Sequence, residues 1–467
     1  MRTGLDWLDA DLAGCADVAV ETLKAGGRHA SLVLAPGMID NAVYKDRLLP
    51  SLGEWLAGTT PTEGLPGANP RAVSSDEERG RVLSELFSGS VLIVMGGHVL
   101  AYPIPRQPER APEESASEIS VKGPRDGFVE SLYINRTLVR KRIKSPDLKV
   151  ESFSVGADSR TEVNLLYLQS AASRSLVEEA RKRIGRLSPD IVIGSSQFEE
   201  MLSDRSRSLF PLVGYTGRPD YIVECLSAGR VAIIVDGLPL VYTAPTNMFE
   251  LLKSPEDIHN SYYFVTMERL LRLLGLFITL TLPGFWVAVS TFNVDQIPFP
   301  LMATIVVSRI GLPMSTAIEM FLMLFMFELF REAGVRLPRA VGQTVAVVGG
   351  IIVGDAAIRA GLTSPTMLVV SAVTNVTSFT LVNQTLLGSV NLLRFVVLVF
   401  STALGMFGFF IGVFAILLYM VSLRSFGVPY LKPAAPYEAR RALGAFIKLP
   451  YADGRSKGGP KRGRPGG

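Results

Sequence analysis

The sequence predicts an α+β half joined to a membrane α domain: a duplicated, two-lobed α/β cytoplasmic N-terminal half, then a polytopic helical membrane domain of about five to six segments. Three observations predict it. Hydrophobicity is uneven, with charged and mixed sequence before about residue 268 and few ionised residues from Leu273 to Leu423. The charge-free runs Leu273 to Val294, Ala360 to Leu393 and Phe395 to Leu423 each exceed the roughly 20 residues that cross a bilayer core. Two segments of the first half also resemble one another at a constant spacing.

That repeat pairs RVLSELFSGSVLIVMGGHVLAY from Arg81 with YIVECLSAGRVAIIVDGLPLVY from Tyr221, an offset of 221 − 81 = 140 residues. Each copy reads as an amphipathic helix closed by a glycine (Gly89, Gly229), a β-branched strand, a Gly-containing turn and a second strand. Upstream, ASLVLA at Ala30 with a helix ending near Leu56 corresponds to VNLLYLQ at Val163 with a helix ending near Leu187. The expected organisation is lobe 1 over 1–105, a linker and connecting helix over 106–147, lobe 2 over 148–268, the membrane domain over 269–425 and a basic cytoplasmic tail over 426–467. GPRDGF at Gly123 is expected to open the connecting helix, which runs to about Ile143 and ends in the basic RKRIK. Those charges suit a helix C-terminus. GRPD at Gly217 reads either as a helix N-terminus with Asp220 in its first turn or as an ion pair beside a cleft.

In the second half, the aromatic and basic residues of SPEDIHNSYYFVTMERLLRLL approach the bilayer, and the first span is expected from about Leu271 to Ser290 with a kink at Pro283-Gly284. IPFPLMATIVVS from Ile297 is short for a crossing and reads as a re-entrant or broken helix. The Met- and Phe-rich span from about Met314 to Phe330 carries Glu319, a carboxylate expected in the bundle interior. Arg331, Arg336 and Arg339 then form a loop placed in the cytoplasm by the positive-inside rule. The chain's organising helix follows, Arg339 to Gly361, with Gly350 and Gly354 on a packing stripe beside one that holds Asp355 and Arg359 at the i, i+4 spacing of an ion pair. Thr363 to Leu387 returns, with Asn375, Asn383 and Gln384 as polar residues. The run Leu392 to Leu423 would be about 48 Å long as one helix, so Gly405, Gly408 and Gly412 mark either a tight hairpin, which is favoured, or close packing in one tilted helix. Glu319, Asp355, Arg359 and Asn383 are the candidate ion-pathway or gating residues; Gly350, Gly354, Gly408 and Gly412 are the candidate helix contacts.

Other classes of function are disfavoured. Two distant cysteines and three histidines give no metal or redox framework, no cofactor is expected, and the motifs of phosphate-binding loops, zinc proteases, nucleophile elbows and dinucleotide folds are absent. The protein is therefore not expected to be an enzyme. The net charge of +4 is a property of the tail: after Pro436 eight Lys/Arg against two Asp/Glu leave +6, so the remainder carries 4 − 6 = −2. Its last stretch, GRSKGGPKRGRPGG, lacks the aromatics and folded basic face of a nucleic-acid site. The N-terminal MRTGLDWLDADLAGC has acids where an export signal needs an apolar core, so the first half is expected in the cytoplasm.

The motifs GPRDGF, RSRSLFPLVGYTGRPDYIVECLSAGRVAIIVDG, KSPEDIH, PGFWVAVSTFNVDQIPFPL, ELFREAGVRLPRAVGQTVAVVGG and LRSFGVPYL, in this order, resemble the A-subunit (GerA) family of spore germination proteins from about Leu5 to Pro436. Within it, GDAAIRAGLTSPTMLVVSAVTNVTSFTLVNQTL is similar to the stage V sporulation AF branch. The resemblance implies a multi-pass protein of the inner spore membrane, acting with other germination-complex membrane subunits and forming a homo-oligomer that conducts ions. A non-conducting scaffold and a secondary transporter are the rival readings.

Overall fold

A computed structural model describes residues 5–58, 69–71, 76–96, 98–105, 122–187, 189–192, 194–336, 354–435 and 444–448. The first half contains two five-stranded antiparallel sheets. In the first, β1 (Ala19–Ala25), β2 (Arg28–Leu34), β3 (Asn69–Arg71), β4 (Ser90–Met95) and β5 (His98–Pro103) are ordered β1-β2-β4-β5-β3. In the second, β6 (Leu148–Val155), β7 (Thr161–Leu168), β8 (Gly214–Thr216), β9 (Val231–Val235) and β10 (Val241–Ala244) are ordered β6-β7-β9-β10-β8. The two orders are the same once five is subtracted from each number of the second.

The central hairpins differ by a slip of two residues. Tyr102 pairs with Val91, whereas Tyr242, its counterpart at the 140-residue offset, pairs with Ile233 rather than Val231. Because side chains alternate with a period of two, the slip leaves every residue on its original face. β9 is buried along its whole length because both faces are covered. Val231, Ile233 and Val235 pack with the helices Arg174–Arg186 and Ser195–Leu202, while Ala232 and Ile234 pack with the helices Leu132–Arg142 and Pro219–Ser227. This explains why the strand reads as a continuous apolar run rather than an alternating one.

The connecting helix is shorter than expected. It spans Leu132–Arg142, because Phe128 N–H donates to Gly217 O at 2.8 Å and Val129 N–H to Asn135 Oδ1 at 2.8 Å, holding the preceding residues extended. Its basic end is not wholly a surface feature, since Arg140 is buried between the lobes. The lobes also share backbone hydrogen bonds, Ala16 N–H to Val150 O at 2.9 Å and Val150 N–H to Gly14 O at 3.0 Å.

Two helices among the described residues, Tyr262–Phe292 and Gln384–Ser422, are long and apolar enough to cross a membrane. The first, the entry helix, starts well before the expected Leu271. Arg269 and Arg272 do not interrupt it because Asp257 pairs with both at 2.9 Å, and Pro283 lies inside the helix. The segment after it forms the short helix Phe299–Ser308. The Met-rich helix runs Thr316–Arg336, so Arg331 and Arg336 are helical rather than in a loop. Of the organising helix, 339–353, including Gly350, lies outside the described residues; its end, 354–359, is helical. Helix Pro365–Ser378 follows, capped by Ser364.

The segment Gln384–Ser422 is two helical arms folded back on themselves. Gly405 takes φ 62°, ψ −140°, a conformation open to glycine and costly for other residues. A Cβ on Gly408 would overlap the carbonyl of Phe400, and one on Gly412 would lie 3.4 Å from Cα of Val397, fifteen residues away in sequence. The turn sits against Phe292 at the end of the entry helix, and Gly284 lies close to Val397 and Ser401, so the entry helix and the first arm run side by side in the same direction. The outer surface of this bundle is apolar, with Phe277, Phe299, Phe407, Phe410 and Phe414 exposed.

The start of the predicted tail is folded. Arg424–Ser425 and Val428–Pro429 form a small hairpin that docks on lobe 2, where Phe426 joins the hydrophobic core. Ser425 Oγ donates to Leu212 O at 2.6 Å and accepts from Thr246 N–H at 2.9 Å.

Candidate functional site: the polar interior of the helical bundle

Glu319 occupies the first turn of the Met-rich helix, as expected, and is fully buried. Its Oε1 accepts from Thr363 Oγ1 at 3.0 Å, from Ser364 Oγ at 2.7 Å and from Ser364 N–H, while Oε2 pairs with Arg309 at 3.2 Å. The carboxylate therefore holds the N-terminus of helix Pro365–Ser378 against the Met-rich helix, and its charge is balanced by Arg309 and the helix dipole. Its geometry is that of a structural staple.

Asp355 and Arg359 form the ion pair that their spacing suggests, Nε to Oδ2 at 2.8 Å, but their side chains are 59% and 80% exposed. This corrects their expected place in the interior: they lie on the outside of the single chain. Gly354 is buried against the side chain of Leu368, 3.2 Å from the position of a Cβ, and so makes a helix contact. Asn383 caps the first arm of the hairpin by accepting from Leu386 N–H at 2.9 Å. It stands at the seam with lobe 2, not in the bundle core.

Among the described residues of the bundle, a second fully buried charge is one that the expectations omitted. Arg394 is fully buried about 15 Å along the first arm. Its Nη2 pairs with Glu328 Oε2 at 3.1 Å; Nε and Nη1 have no hydrogen-bond partner, nor does the buried Oδ1 of Asn391, one turn earlier. Glu328 also pairs with Arg331. The guanidinium lies over the Phe395 ring at 5.3 Å, a contact that partly compensates the lost solvation. The sequence signal was available: Arg394 is the lone charge separating the runs Ala360 to Leu393 and Phe395 to Leu423.

Three motifs distant in sequence meet where the head joins the entry helix. Arg218 reaches Asp220 at 2.6 Å and also pairs with Glu256, and His259 Nε2 lies 2.8 Å from Asp220 Oδ2. The Lys122 N–H donates to Glu256 at 3.2 Å, and a side chain at Gly123 would collide with Arg218 and His259. GPRDGF, GRPD and SPEDIH are thus parts of one joint. In GRPD, Asp220 lies in the first turn of helix Pro219–Ser227, as the helix-terminus reading expects, and it also pairs with Arg218. Hydrogen bonds and the charge of Arg218 keep the Asp220 carboxyl below the usual carboxylate range despite its burial, which acts in the opposite sense. Among the described residues, no three His, Cys, Asp or Glu side chains converge as metal ligands.

A doubled mixed α/β head joined to a helical bundle that is mostly apolar outside and holds buried charges within defines the class of protein. The chain belongs to the family described as Bacillus/Clostridium GerA spore germination protein, whose profile matches residues 6–457. Spore germination protein XA of Bacillus anthracis is 37% identical over 454 residues, covering 96% of this chain and 90% of that protein. Spore germination protein KA of Bacillus subtilis (strain 168) is 32% identical, with 94% and 83% covered. YfkQ of the same strain, described as an uncharacterized membrane protein, is 32% identical, with 97% and 89% covered. A crystal structure of the N-terminal domain of the A subunit of the Bacillus megaterium spore germinant receptor GerK3 is 27% identical, covers 51% of this chain and 92% of that one, and has a TM-score of 0.38.

Proposed function

We propose that this spore germination protein is a multi-pass subunit of a germinant-receptor complex in the inner spore membrane, and that its bundle contributes a polar path for ions. The sheet-bearing half lies on the cytoplasmic side, and the ion-pair face at Asp355 and Arg359 is covered by neighbouring subunits, a second copy of the chain among them. The observation that carries this reading is Arg394. A guanidinium among transmembrane helices costs about 2.5–3.5 kcal/mol on insertion scales and is characteristic of water-filled cavities and ion pathways. Here two of its nitrogens remain without a hydrogen-bond partner beside the unpaired Asn391 carbonyl, an arrangement suited to water or a passing ion. The apolar outer surface fits contact with lipid. Glu319, with every nearby donor engaged, supports the wall of the bundle.

The test is electrical recording from the full-length protein reconstituted with its partner subunits in planar bilayers. Arg394→Gln should move the reversal potential toward cations, because a positive charge leaves the path. An unchanged reversal potential removes Arg394 from the path. No current in any reconstituted assembly removes conduction itself and leaves a scaffold.

A further inference from the structure

A small cleft of about 30 Å³ lies at the seam between lobe 2 and the bundle, lined by Gly214, Tyr221, Arg230, Glu250, Lys253 and Asn383 among others. It is separate from the bundle core. Arg230, just after the glycine that closes helix Pro219–Ser227, is 7% exposed. Its Nη2 donates to Thr243 Oγ1 at 2.6 Å and Thr246 Oγ1 at 3.1 Å, and Nη1 reaches Cys225 Sγ at 3.3 Å and Glu250 at 3.7 Å. Nε, although buried, has no partner.

Glu250 is shared with Lys253 at 2.9 Å, so these three lining charges leave one positive charge over. The floor is kept open by Gly214, where a Cβ would come within 2.8 Å of Thr243 Oγ1 and 2.9 Å of Thr246 Oγ1. On the bundle side Asn383 uses Oδ1 to cap Leu386, which leaves its amide N–H2 as the group it can offer. A surplus positive charge and an amide donor suit an anion.

We propose that this seam cleft binds a small carboxylate, held between Arg230 of the head and Asn383 of the hairpin, so that the ligand ties the two together. The site rests on its own geometry and holds whether or not the bundle conducts. Acetate is the probe, titrated by calorimetry into the full-length protein in detergent micelles, with sodium chloride at equal ionic strength as the blank. The wild type should show saturable binding. Asn383→Asp keeps a side chain of equal capping strength but turns the amide into a like charge; it should weaken acetate about tenfold or more, one charged hydrogen bond's worth, with unchanged thermal stability. Arg230→Gln should lose binding as well. Absence of saturable acetate binding by the wild type, or acetate binding by Asn383→Asp as tight as the wild type's, overturns the proposal.

Discussion

Arg140 and Asp17 form a two-pronged ion pair across the lobe boundary, Nε to Oδ2 at 2.7 Å and Nη2 to Oδ1 at 2.9 Å. The guanidinium also donates to Ser145 O and Leu148 O and lies 4.2 Å from the Phe87 ring centroid. Every prong is engaged, and both residues are buried. Breaking such a pair from one side strands the other charge. Asp17→Ala or Arg140→Ala should therefore each destabilise the protein by about 3–5 kcal/mol. Replacing both with apolar residues should cost less than either single change, as denaturant unfolding would reveal. Additive losses would show that the pair does not act as a unit.

The hairpin makes a distance prediction. Positions 397 and 412 would be about 22 Å apart along one continuous helix, whereas Gly412 packs on Val397. Val397→Cys with Gly412→Cys should be joined by a short bis-maleimide in membranes. No cross-link beyond that of control pairs would favour a single tilted helix. Gly405→Ala, forced into a conformation that disfavours side chains, should cost about 1–3 kcal/mol.

Glu199, in the helix Ser195–Leu202, has its carboxyl pushed up to about 7, first by burial and then by the neighbouring Glu200 charge. The folded state therefore holds a proton that the unfolded chain releases near 4.5. Its stabilising effect is full below 4.5 and is lost as pH rises through about 7. Glu199→Gln should match the wild type in melting temperature at low pH and exceed it progressively across that window. A pH-independent difference would mean that the carboxyl titrates normally.

Burial raises both thiols, Cys225 to about 11 and Cys15 above its ordinary value. Neither should react with an aromatic disulfide reagent at neutral pH while the protein is folded, and both should react in denaturant. Rapid labelling of either in the native protein would contradict the packing of its lobe.

The β4–β5 and β9–β10 hairpins were legible in the sequence because glycines bound them and their strands are nearly continuous apolar runs. β1 and β6 were not, because AVETLKA combines exposed with only half-buried positions and LKVESFSV mixes exposed polar positions with buried ones. The ion pair of Asp355 and Arg359 could be read from its spacing, but its exposure could not, since the covered face of a helix is decided by distant segments. Arg394 was overlooked for the opposite reason: a lone charge between long apolar stretches looks like a boundary until Glu328, 66 residues earlier, is brought beside it. The first residues of 426–467 were expected to belong to a basic cytoplasmic tail, yet Tyr430 is fully buried.

Both feet of the hairpin stand on lobe 2. Thr385 Oγ1 donates to Tyr215 OH at 3.3 Å at the outgoing foot, and Met248 N–H donates to Tyr430 O at 3.1 Å just past the returning one. A rotation of that lobe is therefore delivered to the two arms together, as torque on a forked lever, and the guanidinium of Arg394 rides on one of its prongs.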